Sequence, residues 1–291
     1  MRCEATRAYS TIGLMSGTGR LRTPGVTLLV LAATVATLVT PAGGSIGRRD
    51  ALPTRLPGTL TVAVDIGTIG LAEGTFAGGA VVNARGFEID LARALARKLG
   101  VKLRIVDVPF ARVVTPGSKP FDVSVAHVTI TAMRAKSVDF SPTYFVVNKG
   151  VLVAPGVVPP ATLADLRKLR VCAQAATTSD AYVRTKLRLR PTPHSFPSPI
   201  DALRAVSDGF CQAMIADLEI LVAARQDEPD LYGPIAGRIV TDEHYGAVFA
   251  KGSKLTRPVG AALRSLASTG AVTRLANHWF GAGWDRVAVL R

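Results

Sequence analysis

Two carboxylates, Glu88 and Asp90, stand two residues apart in the stretch GFEIDLARALARKLG, and such a pair could act as a general acid and a general base. The residues around them favour a simpler role. Leucines recur every four residues after Asp90, with alanines between them, which predicts a helix with one apolar stripe. Residues two apart on a helix do not face each other. We therefore predict that both carboxylates begin a helix at its positive end, and that Gly100 ends it.

The sequence contains none of the familiar motifs of metal or nucleophilic catalysis. It has no HExxH, paired CxxC, P-loop or GxSxG pattern, and His194, His244 and His278 are scattered singly. Neither a metal site nor a catalytic triad is indicated, and we expect no cofactor.

The composition is that of a packed globular protein. The chain has 291 residues, of which 48% are hydrophobic and 19% charged, enough to form two compact lobes. The formal net charge of +14 is spread along the chain. It is compatible with an anionic surface as a partner or with solubility alone. Nucleic acid is not favoured, because no basic helix, zinc-finger spacing or aromatic RNA-binding signature accompanies the charge.

The N-terminal segment predicts export. Val26 to Val39 form an uninterrupted weakly polar to apolar run of fourteen residues, shorter than the roughly 20 that a membrane span needs. Small residues follow, so we predict that residues 1–42 are a signal peptide cleaved near Ala42, with an uncleaved N-terminal anchor as the alternative. Residues 43–57 then form a linker rich in Pro and Arg.

Export changes the interpretation of the cysteines. Cys3 would be lost with the signal, which leaves Cys172 and Cys211 in an oxidising compartment. Both lie in short apolar runs typical of buried strands. A disulfide between them and two free core thiols are both compatible with this pattern.

Strands and helices alternate after the linker. TLTVAVD, from Thr59 to Asp65, reads as a strand before the predicted helix, and Val101, Leu103 and Ile105 alternate after it as in a second strand. Strand, helix and strand in this order imply a parallel pair with a right-handed crossover. The pattern recurs later in the chain. We expect two α/β units, each with a parallel sheet that binds ligands beyond the carboxyl ends of its strands.

Several segments, in order, resemble the family 3 periplasmic solute-binding proteins, the extracytoplasmic amino-acid receptors of ABC importers. They are GFEIDLARALARKLG, FDVSVAHVTITAMRAKSVDFSPTYF, ADLRKLRVCAQAATTSDAYV, DGFCQAMIADLEIL, and YGAVFAKGSKL followed by HWFG. The resemblance covers roughly residues 58–282. The earlier segment VAVDIGTIGLAEG is more similar to the actinobacterial glutamate and glutamine binders than to the enteric ones.

The resemblance implies an α/β protein with the type II periplasmic-binding-protein fold, two α/β lobes joined by a two-strand hinge. The first lobe would comprise residues 58–150 and 243–291, and the second lobe residues 151–242. A ligand enclosed between two such lobes would favour their closure.

The resemblance also implies a ligand site. Arg134 stands where the family has the arginine that binds the α-carboxylate, and Asp217 where it has the acceptor of the α-ammonium. The hydroxyls of Thr129 and Thr178 would complete the set of polar groups around the ligand, and Thr177 is a further candidate.

Each of these residues has a structural alternative. Arg134 could be a surface arginine paired with Asp139, and Asp217 could cap a helix that starts near Leu218. Threonines at such positions are also common in turns and caps.

The chain departs from the family pattern at three places. His127 replaces a small residue two positions before Thr129, and this titratable group either selects an acidic ligand side chain or is a satisfied wall residue. Ala176 stands where a glycine is usual. Asp65 begins a segment that lacks the aromatic residue which often covers the ligand, and it remains a candidate ligand residue.

The predicted function is that of an exported, monomeric substrate-binding protein that takes a polar amino acid, with glutamate or glutamine favoured, to an ABC permease. One alternative is a cyclohexadienyl or arogenate dehydratase on the same fold, with Glu73, Glu219 or Glu243 as its acid if one of them enters the cleft. Another is the ectodomain of an amino-acid sensor, which would bind its ligand by the same physics.

Overall fold

The computed structural model describes residues 51–77, 80–189 and 191–291. The predicted signal peptide and most of the predicted linker lie outside these residues. Within them, no helix combines the length and the apolar character required to cross a membrane.

The first sheet has five strands in the order β4-β1-β5-β12-β6. Their bounds are Thr59–Val64 (β1), Lys102–Asp107 (β4), Val123–Ser124 (β5), Val138–Phe140 (β6) and Val248–Ala250 (β12). Strand β1 pairs in parallel with β4 and β5, as predicted. Strand β12 pairs antiparallel with β5 and β6, so the expectation of a parallel sheet was wrong.

The second sheet is also mixed, in the order β11-β7-β10-β8-β9. Its strands are Phe145–Val153 (β7), Val171–Gln174 (β8), His194–Phe196 (β9), Ala213–Asp217 (β10) and Ile235–Tyr245 (β11). Strands β8, β9 and β10 are parallel, whereas β7 runs antiparallel to β10 and β11. The prediction counted only strand–helix–strand units. Neither β7 nor β12 is connected to the preceding strand of its own sheet by a crossover helix, because the chain arrives from the other sheet. Such strands need not be parallel.

A hairpin and the helices complete the fold. The hairpin strands are Glu73–Ala77 (β2) and Ala80–Arg85 (β3), which sequence reasoning missed. The helices are Phe87–Leu99 (α1), Phe110–Val113 (α2), Ala132–Ala135 (α3), Leu163–Leu166 (α4), Thr178–Tyr182 (α5), Pro199–Ser207 (α6), Leu218–Asp227 (α7), Thr256–Ser268 (α8) and Ala271–Phe280 (α9), with a π-helical turn at Val183–Leu187.

Helix α1 confirms the prediction made from its leucines. Leu91 and Leu95 are fully buried, and Gly100 ends the helix in the left-handed conformation, at φ 69°. Gly86 begins it at φ 124°, and a Cβ there would lie 2.2 Å from the carbonyl oxygen of Leu71. No residue with a side chain fits that position.

The two sheets share part of their packing. Leu60 of β1, Leu91 of α1 and Phe280 of α9 belong to a core that also includes Leu218 and Ile220. These last two residues lie on α7, the helix that directly follows β10 of the second sheet. The second sheet has separate cores on its two faces. Helix α7 therefore packs where the two sheets meet.

Strands β7 and β11 form a long antiparallel ribbon. Phe145 and Tyr245, at one end, pack in the core of the first sheet, whereas Val151 packs in a core of the second. The register pairs Ile239 with Lys149 and Glu243 with Val147, so β11 carries two extra residues between these pairs. The ribbon is the connection expected of a two-strand hinge. The predicted lobe boundaries themselves remain predictions.

The bulge in this ribbon is held by a side chain of the partner strand. Oδ1 of Asn148 accepts hydrogen bonds from the backbone amides of Thr241 and Asp242, at 2.9 and 3.0 Å. These bonds replace ladder bonds lost at the bulge and fix the residue that follows it, Glu243.

Candidate functional site

One cavity is lined by residues that follow strands of both sheets. Six of the predicted site residues line it, namely His127, Thr129, Arg134, Thr177, Thr178 and Asp217. Phe110, Pro199, Met214 and Ile220 contribute apolar wall, and Gln174 and Ser179 are polar. The cavity measures about 10 Å³, room for roughly one water molecule. The seventh predicted residue, Asp65, does not line it.

Arg134 faces this cavity from helix α3. The hydroxyl of Thr131 accepts from the Arg134 amide at 3.2 Å and fixes the start of the helix. The guanidinium donates to the carbonyl oxygens of Thr129 and Ala176, at 2.9 and 3.0 Å, and its Cζ lies 5.2 Å from the centre of the Phe110 ring. Arg134 therefore contacts backbone that belongs to both halves of the molecule.

The surface alternative for Arg134 is wrong. Asp139 pairs with Lys251 at 2.9 Å and accepts from the amide of Gly252 at 2.7 Å. Burial lowers the pKa of Arg134 below its usual value, and the charges of Asp217 and Glu243 oppose that shift. Its guanidinium stays charged at physiological pH, because an arginine in a protein does not lose its proton.

Asp217 is at the carboxyl end of β10 and is 8% exposed. It occupies the N-cap position of α7, but its side chain makes no capping hydrogen bond. Instead, Oδ2 accepts from the hydroxyl of Tyr245 at 2.6 Å, and Oδ1 accepts from Ser179 at 3.4 Å and lies 3.5 Å from Nζ of Lys149. The carboxylate is therefore directed into the site.

Thr129 and Thr178 are joined by a carboxylate that the resemblance did not assign to the ligand site. Both hydroxyls donate to Oε2 of Glu243, each at 2.6 Å. Oε1 of Glu243 lies 2.5 Å from Nζ of Lys149. Sequence reasoning missed Lys149 altogether, although it is the one charged residue in the apolar strand FVVNKGVLV.

Thr177 and His127 have structural partners as well. The hydroxyl of Thr177 is the N-cap of α5, accepting from the Asp180 amide at 3.1 Å and donating to the Gln174 carbonyl at 2.7 Å. The His127 ring is 3% exposed, stacks on Phe110 at 5.3 Å and lies 3.4 Å from Oε1 of Glu88.

The charge of His127 is set by its surroundings. Burial alone would lower the pKa of its imidazole, but the neighbouring charges of Glu88, Asp65 and Asp217 raise it to about 9. Glu88, predicted only to start α1, is completely buried, and its side chain accepts from the His127 amide. Sequence reasoning missed this pair because the two residues are far apart in the chain.

Two further acids lie close to the site. Burial raises the pKa of Asp65 to about 6, against the opposing charge of His127. Burial and the charge of Asp217 raise the pKa of Glu219 to about 8, and Glu219 hydrogen bonds to the hydroxyl of Tyr245. Glu219 does not line the cavity. Glu73, the third acid considered for dehydratase chemistry, pairs with Arg85 in the hairpin.

Cys172 and Cys211 are both buried, packed in one core of the second sheet, and present as free thiols. The hydrogen bond that the Cys172 thiol donates to Cys211, together with burial, raises the pKa of Cys172, while the same hydrogen bond lowers the pKa of Cys211. The described part of the chain contains no group of three or more His, Cys, Asp or Glu side chains arranged to hold a metal ion. The cavity instead offers the paired hydrogen-bond donors of Arg134 and the opposite charge of Asp217.

Residues 75–282 match the family model for the bacterial extracellular solute-binding proteins, family 3. The chain belongs to this family. The family assignment agrees with the two mixed α/β sheets and with the ribbon that connects them.

Relatives of this family 3 protein include binding proteins for amino acids. It is 28% identical over 206 residues to the arginine-binding extracellular protein ArtP of Bacillus subtilis, covering 68% of this chain and 78% of that protein. An ancestral arginine-binding protein bound to glutamine superposes with a TM-score of 0.68 at 29% identity, over 78% of this chain and 99% of the other.

A second solved structure is related to the enzymatic branch. The ancestral amino acid-binding protein AncCDT-1, a precursor of cyclohexadienyl dehydratase, matches with a TM-score of 0.64 at 28% identity, over 77% of this chain and 95% of the other. This family 3 protein therefore shares its fold with proteins described as binding amino acids.

Proposed function

We propose that this protein is exported, binds one free polar amino acid between its lobes and delivers it to an ABC permease. The observation that carries the proposal is that Arg134 and Asp217 line the same cavity. A guanidinium matches an α-carboxylate, with two parallel hydrogen bonds, and a carboxylate matches an α-ammonium. A zwitterion bound by both would join groups that follow strands of different sheets, which favours lobe closure.

The charges around the cavity support a ligand with a neutral side chain. Lys149 faces Glu243 at 2.5 Å, and His127 faces Glu88 at 3.4 Å, so these four charges already have partners. A ligand that brought an additional buried charge would have to find a new partner for it or bear the cost of desolvation. Of the two ligands favoured by the sequence, glutamine therefore takes precedence over glutamate.

His127 enters this choice directly. Its imidazolium could bind an acidic ligand side chain only by sharing its charge with Glu88, which lies completely buried behind it. We therefore assign His127 to the wall of the site, where it stacks on Phe110. Arginine, the ligand named for ArtP, is the cationic competitor that must be tested.

Calorimetric titration of the purified protein with each of the twenty amino acids tests the proposal. We expect one polar amino acid, glutamine before glutamate and arginine, to release or absorb heat with a saturable isotherm. Arg134→Ala should weaken that binding at least ~100-fold, because each hydrogen bond to a charged group contributes about 1.5–3 kcal/mol. Arg134→Lys retains the charge but loses the paired geometry, so it should recover only part of the affinity.

Arg170→Ala is the matched control. The Arg170 guanidinium donates to the carbonyl oxygens of Gly209 and Phe210 and does not line the cavity. Its loss should leave the affinity unchanged. Full affinity in Arg134→Ala, together with an unchanged fold, would contradict the assigned role.

The same samples separate a receptor from a dehydratase. Incubation with prephenate and arogenate should leave both compounds intact. Conversion of either one would contradict the proposal and would direct attention to Glu219, the buried acid nearest to Asp217 through Tyr245.

A further inference from the structure

Lys149 and Glu243 form a buried ion pair between the two strands of the ribbon. Lys149 is 1% exposed, and its Nζ lies 2.5 Å from Oε1 of Glu243. The same ammonium donates to the hydroxyls of Thr178 and Ser179, at 2.9 and 3.1 Å, and lies 3.5 Å from Asp217. Every polar atom of this pair is therefore engaged within the site.

The partners of the pair are the groups that an amino acid would use. The Glu243 carboxylate accepts from Thr129 and Thr178, the hydroxyls expected to complete the set of groups around a ligand. The Lys149 ammonium lies beside Asp217, the acceptor expected for a ligand ammonium. A hydroxyl has one proton to donate, so Thr129 and Thr178 cannot serve Glu243 and a ligand carboxylate at the same time.

The pair also connects the two halves of the molecule. Thr129 follows β5 of the first sheet, whereas Thr178 begins α5 after β8 of the second. Oε2 of Glu243 lies between their hydroxyls, 2.6 Å from each. Glu243 therefore bridges the same two halves that a bound zwitterion would join in the proposed clamp.

We propose that Lys149 and Glu243 compete with the ligand from inside the protein. They occupy the threonine hydroxyls and Asp217, and an incoming amino acid has to displace them from these groups. This inference rests on the proposed function. Binding is then an exchange of partners, and the ion pair sets the affinity by competing for the same groups. Neither residue lines the cavity itself, so the pair acts through Thr129, Thr178 and Asp217, which do line it.

Other roles for Glu243 predict a different change in affinity when its carboxylate is removed. If Glu243 instead held the ligand, or only braced the ribbon, removal of its carboxylate would weaken binding or leave it unchanged. If it competes with the ligand, removal frees both threonine hydroxyls and strengthens binding.

Calorimetric titration of Glu243→Ala with glutamine, glutamate and arginine distinguishes these roles. We expect the dissociation constant to fall at least about tenfold, the equivalent of one hydrogen bond to a charged group that no longer has to be exchanged. Glu243→Gln retains an acceptor for the hydroxyls and should give a smaller gain. Asp165→Ala, which breaks the surface pair between Asp165 and Lys168, is the control and should leave the affinity unchanged.

A double variant covers the case in which Glu243→Ala fails to fold with an unpaired Lys149. Lys149→Gln combined with Glu243→Gln removes both charges at nearly constant volume, and it should also bind more tightly than the unaltered protein. Circular dichroism and thermal melting establish which variants are folded.

The outcomes separate the two proposals. If the unaltered protein binds an amino acid and no folded variant binds it more tightly, the competing role of the ion pair is overturned and the proposed function stands. If a variant binds an amino acid and the unaltered protein shows no binding, both proposals are supported. If neither the unaltered protein nor any variant binds, the proposed function is overturned, and this inference with it.

Discussion

The hydroxyl of Tyr245, at the end of β11, donates to Oδ2 of Asp217, at the end of β10, over 2.6 Å. The same hydroxyl contacts Oε1 of Glu219, and one hydroxyl cannot donate to two carboxylates at once. Because the pKa of Glu219 is raised to about 8, by burial first and by the charge of Asp217, Glu219 keeps its proton at neutral pH. It can therefore donate to Tyr245 while Tyr245 donates to Asp217, which fixes the Asp217 carboxylate.

Tyr245→Phe should destabilise the fold by about 1–3 kcal/mol, because two buried carboxyl groups lose their shared partner while the ring contacts to Tyr144 and Phe145 remain. Urea unfolding at pH 7 measures the change. Tyr182→Phe is the control, since no hydrogen bond of the Tyr182 hydroxyl occurs in the described part of the chain, and it should cost less than about 0.5 kcal/mol. Equal losses in both variants would contradict the proposed network.

Stability should fall as the pH rises from about 4 to about 9. The pKa values of Asp65, Glu219 and His127 are raised in the folded state, to about 6, 8 and 9, from ordinary values of 3.8, 4.5 and 6.5. Between each ordinary value and each raised one the folded state binds more protons, so a higher pH favours unfolding. The lowered pKa values of Asp139 and Asp165 act only below about pH 4. Urea unfolding at pH 5, 7 and 9 measures the slope.

Glu219→Gln isolates one contribution to the pH dependence of stability. An amide at position 219 cannot titrate, so the free energy of unfolding should depend less steeply on pH between about 4.5 and 8 than in the unaltered protein. The part contributed by His127, up to about pH 9, should persist. An unchanged slope between pH 5 and 8 would show that Glu219 does not carry the raised pKa.

Ala176→Gly should stabilise the protein by roughly 0.5–1 kcal/mol. Ala176 has φ 64°, a left-handed conformation that costs a residue with a Cβ about 1–2 kcal/mol, partly offset by the greater chain entropy of glycine. Its side chain is exposed, so little packing is lost. Ala175→Gly, at a position without a positive φ, is the control and should destabilise. Thermal melting of both variants checks the sign.

The thiols of Cys172 and Cys211 should be free and unreactive in the folded protein. Both are fully buried, and the Cys172 thiolate is disfavoured by burial and by its hydrogen-bonded neighbour. Iodoacetamide at pH 8 should modify neither residue before unfolding and both after it, as read from the two peptides by mass spectrometry. Modification that requires a reductant after unfolding would show a disulfide instead.

Local patterns predicted the elements that depend on local physics. The leucine spacing and Gly100 were sufficient for α1, because an apolar stripe and a left-handed stop are properties of one segment. The mixed sheets could not be predicted in this way. Strands β5, β6 and β12 contain only two or three residues, too few to show an alternation, and their direction depends on where the chain returns from the other sheet.

The candidate site was also predictable only in part. Arg134 and Asp217 stand in motifs that the resemblance covers, and both line the cavity. The partners that set the charge of the site were missed, since Glu88 meets His127 and Lys149 meets Glu243 only after the chain has folded. A lysine within an apolar strand was the available signal for Lys149. Glu243 was considered only as a dehydratase acid, because nothing near it in the sequence points to a lysine.

The two extra residues of β11 place Glu243 opposite Val147, two residues along β7 from Lys149. A strand advances by about 3.3 Å per residue, so a deletion of one residue at the bulge would reverse the side chains that follow it and carry the carboxylate away from its ammonium. A change in loop length, without any substitution in the cavity, could therefore alter which amino acids this clamp accepts. In related receptors, the count of residues at this point of the ribbon is a trait by which ligand preference can diverge.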